Sequence, residues 1–247
     1  MGSGGLELMI ETHLAIETGE GKMSTFVVRP ESDGPFPVIL FLMDAPGKRE
    51  ELHDMARRVA ATGYYVMLPN LYYRDVPSFT IHREDPVSSK YMAQLMDNLS
   101  NAMVSRDAAK LMEQAESDDS ANTDLVGVTG YCMSGPFALW LAADYPEKIK
   151  AAASIHGVRL ATDADDSPHT RAAQIDGEVL VLAAEFDDWV DKPHFDRLTD
   201  ALINADVSHY AEWVDGVHHG FVFSQRAKYD KAASERHWEL LHSLFDR

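Results

Sequence analysis

The chain has 247 residues, 45% hydrophobic and 25% charged, and its 40 acidic side chains outnumber 22 basic ones for a formal net charge of −18. That apolar share can build a substantial core and excludes wholesale disorder, whose signature is low hydrophobicity joined to high net charge. So acidic a surface repels phosphate, which argues against nucleic acid and anionic membranes as partners, and no apolar run approaches the roughly 18 to 20 residues of a membrane span.

The opening stretch, MGSGGLELM, has neither the basic nor the apolar region of a signal peptide, and Met1 to Gly5 read as a cloning remnant. β-rich runs at 12–17 and 23–29 follow with no helical pattern between them, which predicts a hairpin. Next come a nearly continuous apolar strand at 37–43, a helix at 50–62, a strand at 64–68 and one long helix at 90–115. A strand at 125–129 leads into a helix at 135–144, then strands at 150–155 and 179–184. A helix at 193–205, a strand at 208–214 and a helix at 228–246 complete the chain. Continuous apolar runs such as Val38-Ile39-Leu40-Phe41-Leu42 suit strands buried on both faces. The β-α alternation predicts a single-domain α/β fold with a mostly parallel, doubly wound sheet of about eight strands. No repeat and no interdomain linker interrupts it.

The lone cysteine, Cys132, closes no internal disulfide, and with no signal peptide the expected location is cytoplasmic. Its setting carries chemistry. The segment Gly130-Tyr131-Cys132-Met133-Ser134-Gly135 ends an apolar strand and opens an apolar helix, as a nucleophile elbow does. A buried cysteine acting as a small hydrophobe is the bland alternative, and the strand–turn–helix context weakens it. A phosphate loop is excluded, because neither glycine-rich nucleotide pattern can be written over the segment. A nucleophile of this kind is followed in chain order by an acid and a histidine. The cluster Glu185-Phe186-Asp187-Asp188-Trp189-Val190-Asp191 follows one late strand, and Gly216-Val217-His218-His219-Gly220-Phe221 follows the last. Of the eleven histidines, 53, 82, 169, 194, 209, 237 and 242 fall in helices or polar loops and are expected at the surface.

Over nearly its whole length the chain resembles the dienelactone hydrolase family, α/β-hydrolases with a cysteine nucleophile, with residues 6–247 as the domain. Gly130-Tyr131-Cys132-Met133-Ser134-Gly135 is similar to the family's G-Y-C-x-G-G, with Ser134 in place of a glycine. The family's D-x-x-V selects Asp187 with Val190, and its histidine before a small residue and a Phe selects His219. The resemblance therefore implies a Cys132–His219–Asp187 triad forming an acyl-thioester. It also implies that Asp44, after the third strand, modulates the thiol; the family usually carries Glu there. The oxyanion would be held by the backbone N–H groups of Met133 and Ala45. In Pro69-Asn70-Leu71-Tyr72-Tyr73-Arg74, Arg74 matches the family's substrate-binding arginine. A second family arginine is replaced by Phe223, with Arg226 three residues further on. Tyr72, His156, Trp189 and Phe221, each just beyond a strand, are expected pocket walls.

The function expected is hydrolysis of a small ester or lactone, a small-molecule substrate, with no cofactor. No metal motif is present: the Asp163-Ala164-Asp165-Asp166 loop lacks the Gly and terminal Glu of a calcium loop. With Arg74 as the confident cation among Asp44, Asp187 and Asp188, a neutral substrate is as well matched as a carboxylated one. A thioesterase or other acyl transferase on the same triad is the nearest alternative. A catalytically silent binding protein is the alternative from another class.

Overall fold

In the computed structural model, which describes residues 8–246, residues 38–42 are at most 1% exposed. They form most of β3 (Phe36–Leu42), and burial on both faces is what their unbroken apolar run requires. Each such side chain contributes about 1.5–3 kcal/mol by leaving water. β3 lies beside β5 (Ala121–Tyr131) and β4 (Tyr65–Pro69) in an eight-stranded sheet. With β1 (Met9–Glu17), β2 (Lys22–Pro30), β6 (Ile149–Ile155), β7 (Glu178–Phe186) and β8 (His209–His218), the order is β1-β2-β4-β3-β5-β6-β7-β8. β1 pairs with β2 and β2 with β4 antiparallel, and every other pairing is parallel. The expected hairpin and doubly wound sheet are both present. The Met1 to Gly5 reading lies outside the described residues.

α3 (Asn101–Glu116), α4 (Gly135–Asp144) and α5 (Lys192–Asn204) are linked by packing on one face of the sheet. α1 (Glu50–Ala60) and α6 (Lys231–Phe245) approach each other through Arg58, which pairs with Glu235 and covers the Trp238 ring. One expectation fails here. The long helix read at 90–115 is two helices, α2 (Pro86–Asp97) and α3. Ser100 is extended and its hydroxyl accepts from the Met103 N–H, so a new helix starts where the apolar pattern alone runs on. His237 corrects a second expectation: it is fully buried, with Nε2 3.1 Å from the Tyr131 hydroxyl. It belongs to the inward stripe of α6 with Leu241 and Leu244, at helical spacing.

The chain winds from β3 outward to β4 and later from β5 the other way through β6, β7 and β8. The crevice beyond the C-terminal ends of β3 and β5 is therefore the topological switch point, where open α/β sheets place ligands.

Candidate active site

Cys132 stands at this switch point, in a 3-10 turn (Cys132–Ser134) between β5 and α4. Its φ of +55° is a left-handed conformation that costs a non-glycine residue about 1–3 kcal/mol. The surroundings impose it. A Cβ on Gly130 would overlap the Ser134 carbonyl, and one on Gly135 would overlap Gly157 and the Ser154 hydroxyl. Both glycines are thus needed for the close approach of strand, turn and helix. Ser134, where the family pattern has glycine, adopts ordinary helical angles (φ −91°) and so needs no glycine. Its hydroxyl donates to the Met43 carbonyl at 2.5 Å, tying the elbow to the end of β3.

The acidic cluster after β7 divides its work. Asp191 caps α5 by accepting from the His194 N–H, and Glu185 accepts from the Gly216 N–H at 2.6 Å. Asp188 is exposed. Asp187 has a buried side chain: one oxygen accepts from the Trp189 N–H at 2.9 Å, and the other lies 2.7 Å from Nδ1 of His219. His219 directly follows β8, and its own N–H is held by the Phe186 carbonyl. His218 turns instead against the Phe186 ring. Burial opposes a charge on His219, but the Asp187 hydrogen bond and the neighbouring Cys132 thiol outweigh it and push its pKa up to about 9. Asp187 and His219 are thus joined directly, the imidazole Nε2 is buried without a hydrogen-bond partner, and the Cys132 thiol is near enough to help raise the His219 pKa.

His156 forms a wall of this site. It is 1% exposed, its φ is +38°, and its ring meets His219 edge-on at 4.8 Å. Both ring nitrogens are buried without hydrogen-bond partners. Burial, then the nearby His219, Arg226 and His237, hold its pKa well below the usual histidine range. It is therefore a neutral ring, unsuited to act as a cation for the substrate. Phe221 is fully buried behind it, and Trp189, 62% exposed, covers the outer side of His219 with ring centroids 4.7 Å apart.

The charges are arranged differently from the expectation. Arg74 is held by Asp107 and Glu20, each at 2.7 Å, and stacks on Tyr73, so its guanidinium is already neutralised. Asp44, fully buried, faces two other arginines, Arg49 and Arg226. Its carboxylate oxygens are occupied by these guanidiniums, which flank the Phe223 ring at 5.1 and 4.5 Å. Burial lowers the Arg226 pKa in spite of Asp44 and of Cys132 nearby. Arg49 was missed by sequence reasoning, because an arginine just before a helix reads as a solvated surface residue. Only its placement five residues after Asp44 hints at the pair.

Tyr72 is not an open pocket wall. It is 0% exposed, and its hydroxyl donates to the Ala45 carbonyl at 2.9 Å and lies 3.1 Å from the Met133 sulfur. It therefore braces the two loops whose backbones carry Ala45 and Met133. Met133 lies in the first turn of the helical segment, where N–H groups have no intrahelical acceptor. Among the described residues, no group of three or more His, Cys, Asp or Glu could hold a metal ion, and no helix is long and apolar enough to cross a membrane.

Comparison with known proteins gives the family and the fold. The sequence profile of the dienelactone hydrolase family matches residues 23–247. A carboxymethylenebutenolidase of Rhodococcus opacus is 27% identical over 221 residues, covering 87% of this chain and 82% of that protein. A protein of Synechocystis sp., provisionally named as a carboxymethylenebutenolidase, is 26% identical over 227 residues and 91% of both chains. A crystal structure from Klebsiella pneumoniae, provisionally titled a dienelactone hydrolase, superposes with a TM-score of 0.86 at 23% identity, covering 97% of this chain and 99% of the other.

Proposed function

Because the chain belongs to the dienelactone hydrolase family, whose members act on lactones or esters, we propose that it hydrolyses a small ester or lactone through Cys132, His219 and Asp187. What supports this reading is an imidazole held by a buried carboxylate, with the elbow thiol among the groups that raise its pKa. His219 takes the thiol proton, and the sulfur attacks the carbonyl carbon to form a tetrahedral adduct. The N–H groups of Met133 and Ala45 stabilise the oxyanion, an interaction worth about 3 kcal/mol per donor. His219 then gives its proton to the departing alkoxide, leaving an acyl-thioester on Cys132. Water, deprotonated by His219, attacks that thioester and releases the acid and the free thiol. Asp187 holds the imidazole in the required tautomer and stabilises it while charged.

Asp44 modulates the thiol through Arg49 and Arg226. Neutralised by both, its carboxylate does not oppose negative charge on sulfur, and it anchors a guanidinium that interacts with Cys132. With Arg74 bound to Asp107 and Glu20, that guanidinium gives no preference for a carboxylated substrate over a neutral one.

Turnover of p-nitrophenyl acetate by the wild type and by Cys132→Ala tests the reading, with mass spectrometry of a rapidly quenched reaction. Loss of turnover in the variant and an acetyl adduct on the Cys132 peptide of the wild type are expected. Equal rates in the two proteins would refute it.

A further inference from the structure

A cavity of about 210 Å³ lies on the far side of the residue that follows the nucleophile. Met133 and Phe137 form one wall, Val158 another, and Met96 and Leu99, where α2 gives way to α3, close it over. Two of these residues are attached directly to Cys132. Met133 is its neighbour in the chain, and the Val158 N–H donates to the Cys132 carbonyl at 3.1 Å. Cys132 itself does not line the cavity; its chain neighbour Met133 does.

Most polar groups lining the cavity are engaged, the exception being the Asn101 side-chain oxygen, which is buried without a partner. Arg159, the cation among the lining residues, pairs with Asp97 at 2.9 Å, and the Asn101 amide donates to the Asp166 carbonyl at 2.7 Å. An anion would find no unengaged cation there, whereas an uncharged group would meet the thioether, aromatic and branched aliphatic surface of Met96, Met133, Phe137, Leu99 and Val158 beside polar Asn101 and Thr162. Size narrows the class. A dry cavity of about 150 Å³ accommodates benzene, so this one suits a substituted ring or a branched chain of about six carbons. The roof is adaptable, since α2 buries only Leu95 and the two thioethers can re-pack around different shapes.

We propose that this cavity is the subsite for an uncharged apolar arm of the substrate, an aryl ring or a branched alkyl chain, on an ester or lactone whose carbonyl reacts at Cys132. The proposal rests on the function given above and adds the substrate's character. It makes Val158 a specificity-determining residue.

The first test compares kcat/KM for p-nitrophenyl hexanoate against p-nitrophenyl acetate, and for benzyl acetate against ethyl acetate. One series varies the acyl arm and the other the alcohol arm. In Val158→Phe the preference for the larger member is expected to fall about tenfold in one series, while Val158→Ala shifts it towards bulkier arms. Ratios within twofold of wild type in both series and both variants would overturn the proposal. The second test needs no turnover: phenol is titrated into the Cys132→Ala protein carrying 13C-methyl methionine. The methyl signals of Met96 and Met133 should shift saturably and that of Met112 should not, and adding Val158→Phe should abolish the response. An inactive wild type whose Met96 and Met133 signals still respond to phenol loses the proposed chemistry and keeps the subsite. An active one with unmoved ratios and unmoved signals keeps the chemistry and loses the subsite.

Discussion

Replacing Asp187 by Asn removes a charge while keeping the shape of the side chain that orients His219. The His219 pKa stands at about 9 against an ordinary 6.5, although burial alone would lower it. A rise of that size corresponds to about 3 kcal/mol of preference for the imidazolium in the folded protein. The folded-state pKa lies above the unfolded one, so this contribution is fully present below about pH 6.5 and is lost as the pH climbs to about 9. In Asp187→Asn the largest favourable interaction disappears and only the sulfur is left to oppose burial, so the imidazole pKa should fall. Two measurements follow. The 1H–15N signals of His219 should titrate near pH 9 in the wild type and at clearly lower pH in the variant. Urea unfolding should show wild-type stability falling between pH 6.5 and 9 relative to the variant, by up to about 3 kcal/mol. A variant histidine still titrating near 9 would place the cause elsewhere and refute the assignment of Asp187 as its principal support. Cys132→Ser, carried in parallel, separates the contribution of sulfur.

Other perturbations have directions set by the geometry. Asp44→Ala leaves Arg226 without its carboxylate in a largely buried site while Arg49 keeps Glu51, and should lower stability by about 3 kcal/mol, which thermal unfolding would register as a Tm drop on the order of 10 °C. Iodoacetamide alkylation of Cys132 should change rate in the same variant, and an unchanged rate would remove Asp44 from any role at the thiol. Gly135→Ala would gain up to about 1 kcal/mol of helix propensity if the site were open, yet here the new Cβ meets Gly157 and Ser154, so net destabilisation of about 1–3 kcal/mol is expected in chemical denaturation. Tyr72→Phe strips the Ala45 carbonyl of its buried donor and loosens the brace to Met133, so kcat on p-nitrophenyl acetate should fall about tenfold with little change in KM. A drop confined to KM would show Tyr72 to be a contact for substrate instead.

The elements and the three residues of the proposed triad were legible in the chain because each depends on short-range pattern. Residues 38–42 read as a buried strand from their unbroken apolar run, and the glycines at 130 and 135 mark the tight turn that their immediate neighbours require. The choice of Asp187 and His219 over Asp188 and His218 also followed from local motif, and the side chains do turn in opposite directions at those positions. The break at Ser100 was missed because its signal is one capping hydroxyl inside a sustained helical pattern.

Charge pairing was decided only in three dimensions. Arg74 fits its motif as well as any residue in the sequence, yet Asp107 and Glu20, 33 and 54 positions away, take up its guanidinium. Arg49 and Arg226 meet on Asp44 from opposite ends of the chain, Arg226 being 182 positions distant. Electrostatic interactions depend on distance through space and on burial, neither of which a residue's sequence neighbours record. The opening arithmetic of −18 therefore determined the surface character of this protein. Which few positive charges survive beside the thiol, and which are cancelled before a substrate arrives, was settled by the packing of distant segments against one another.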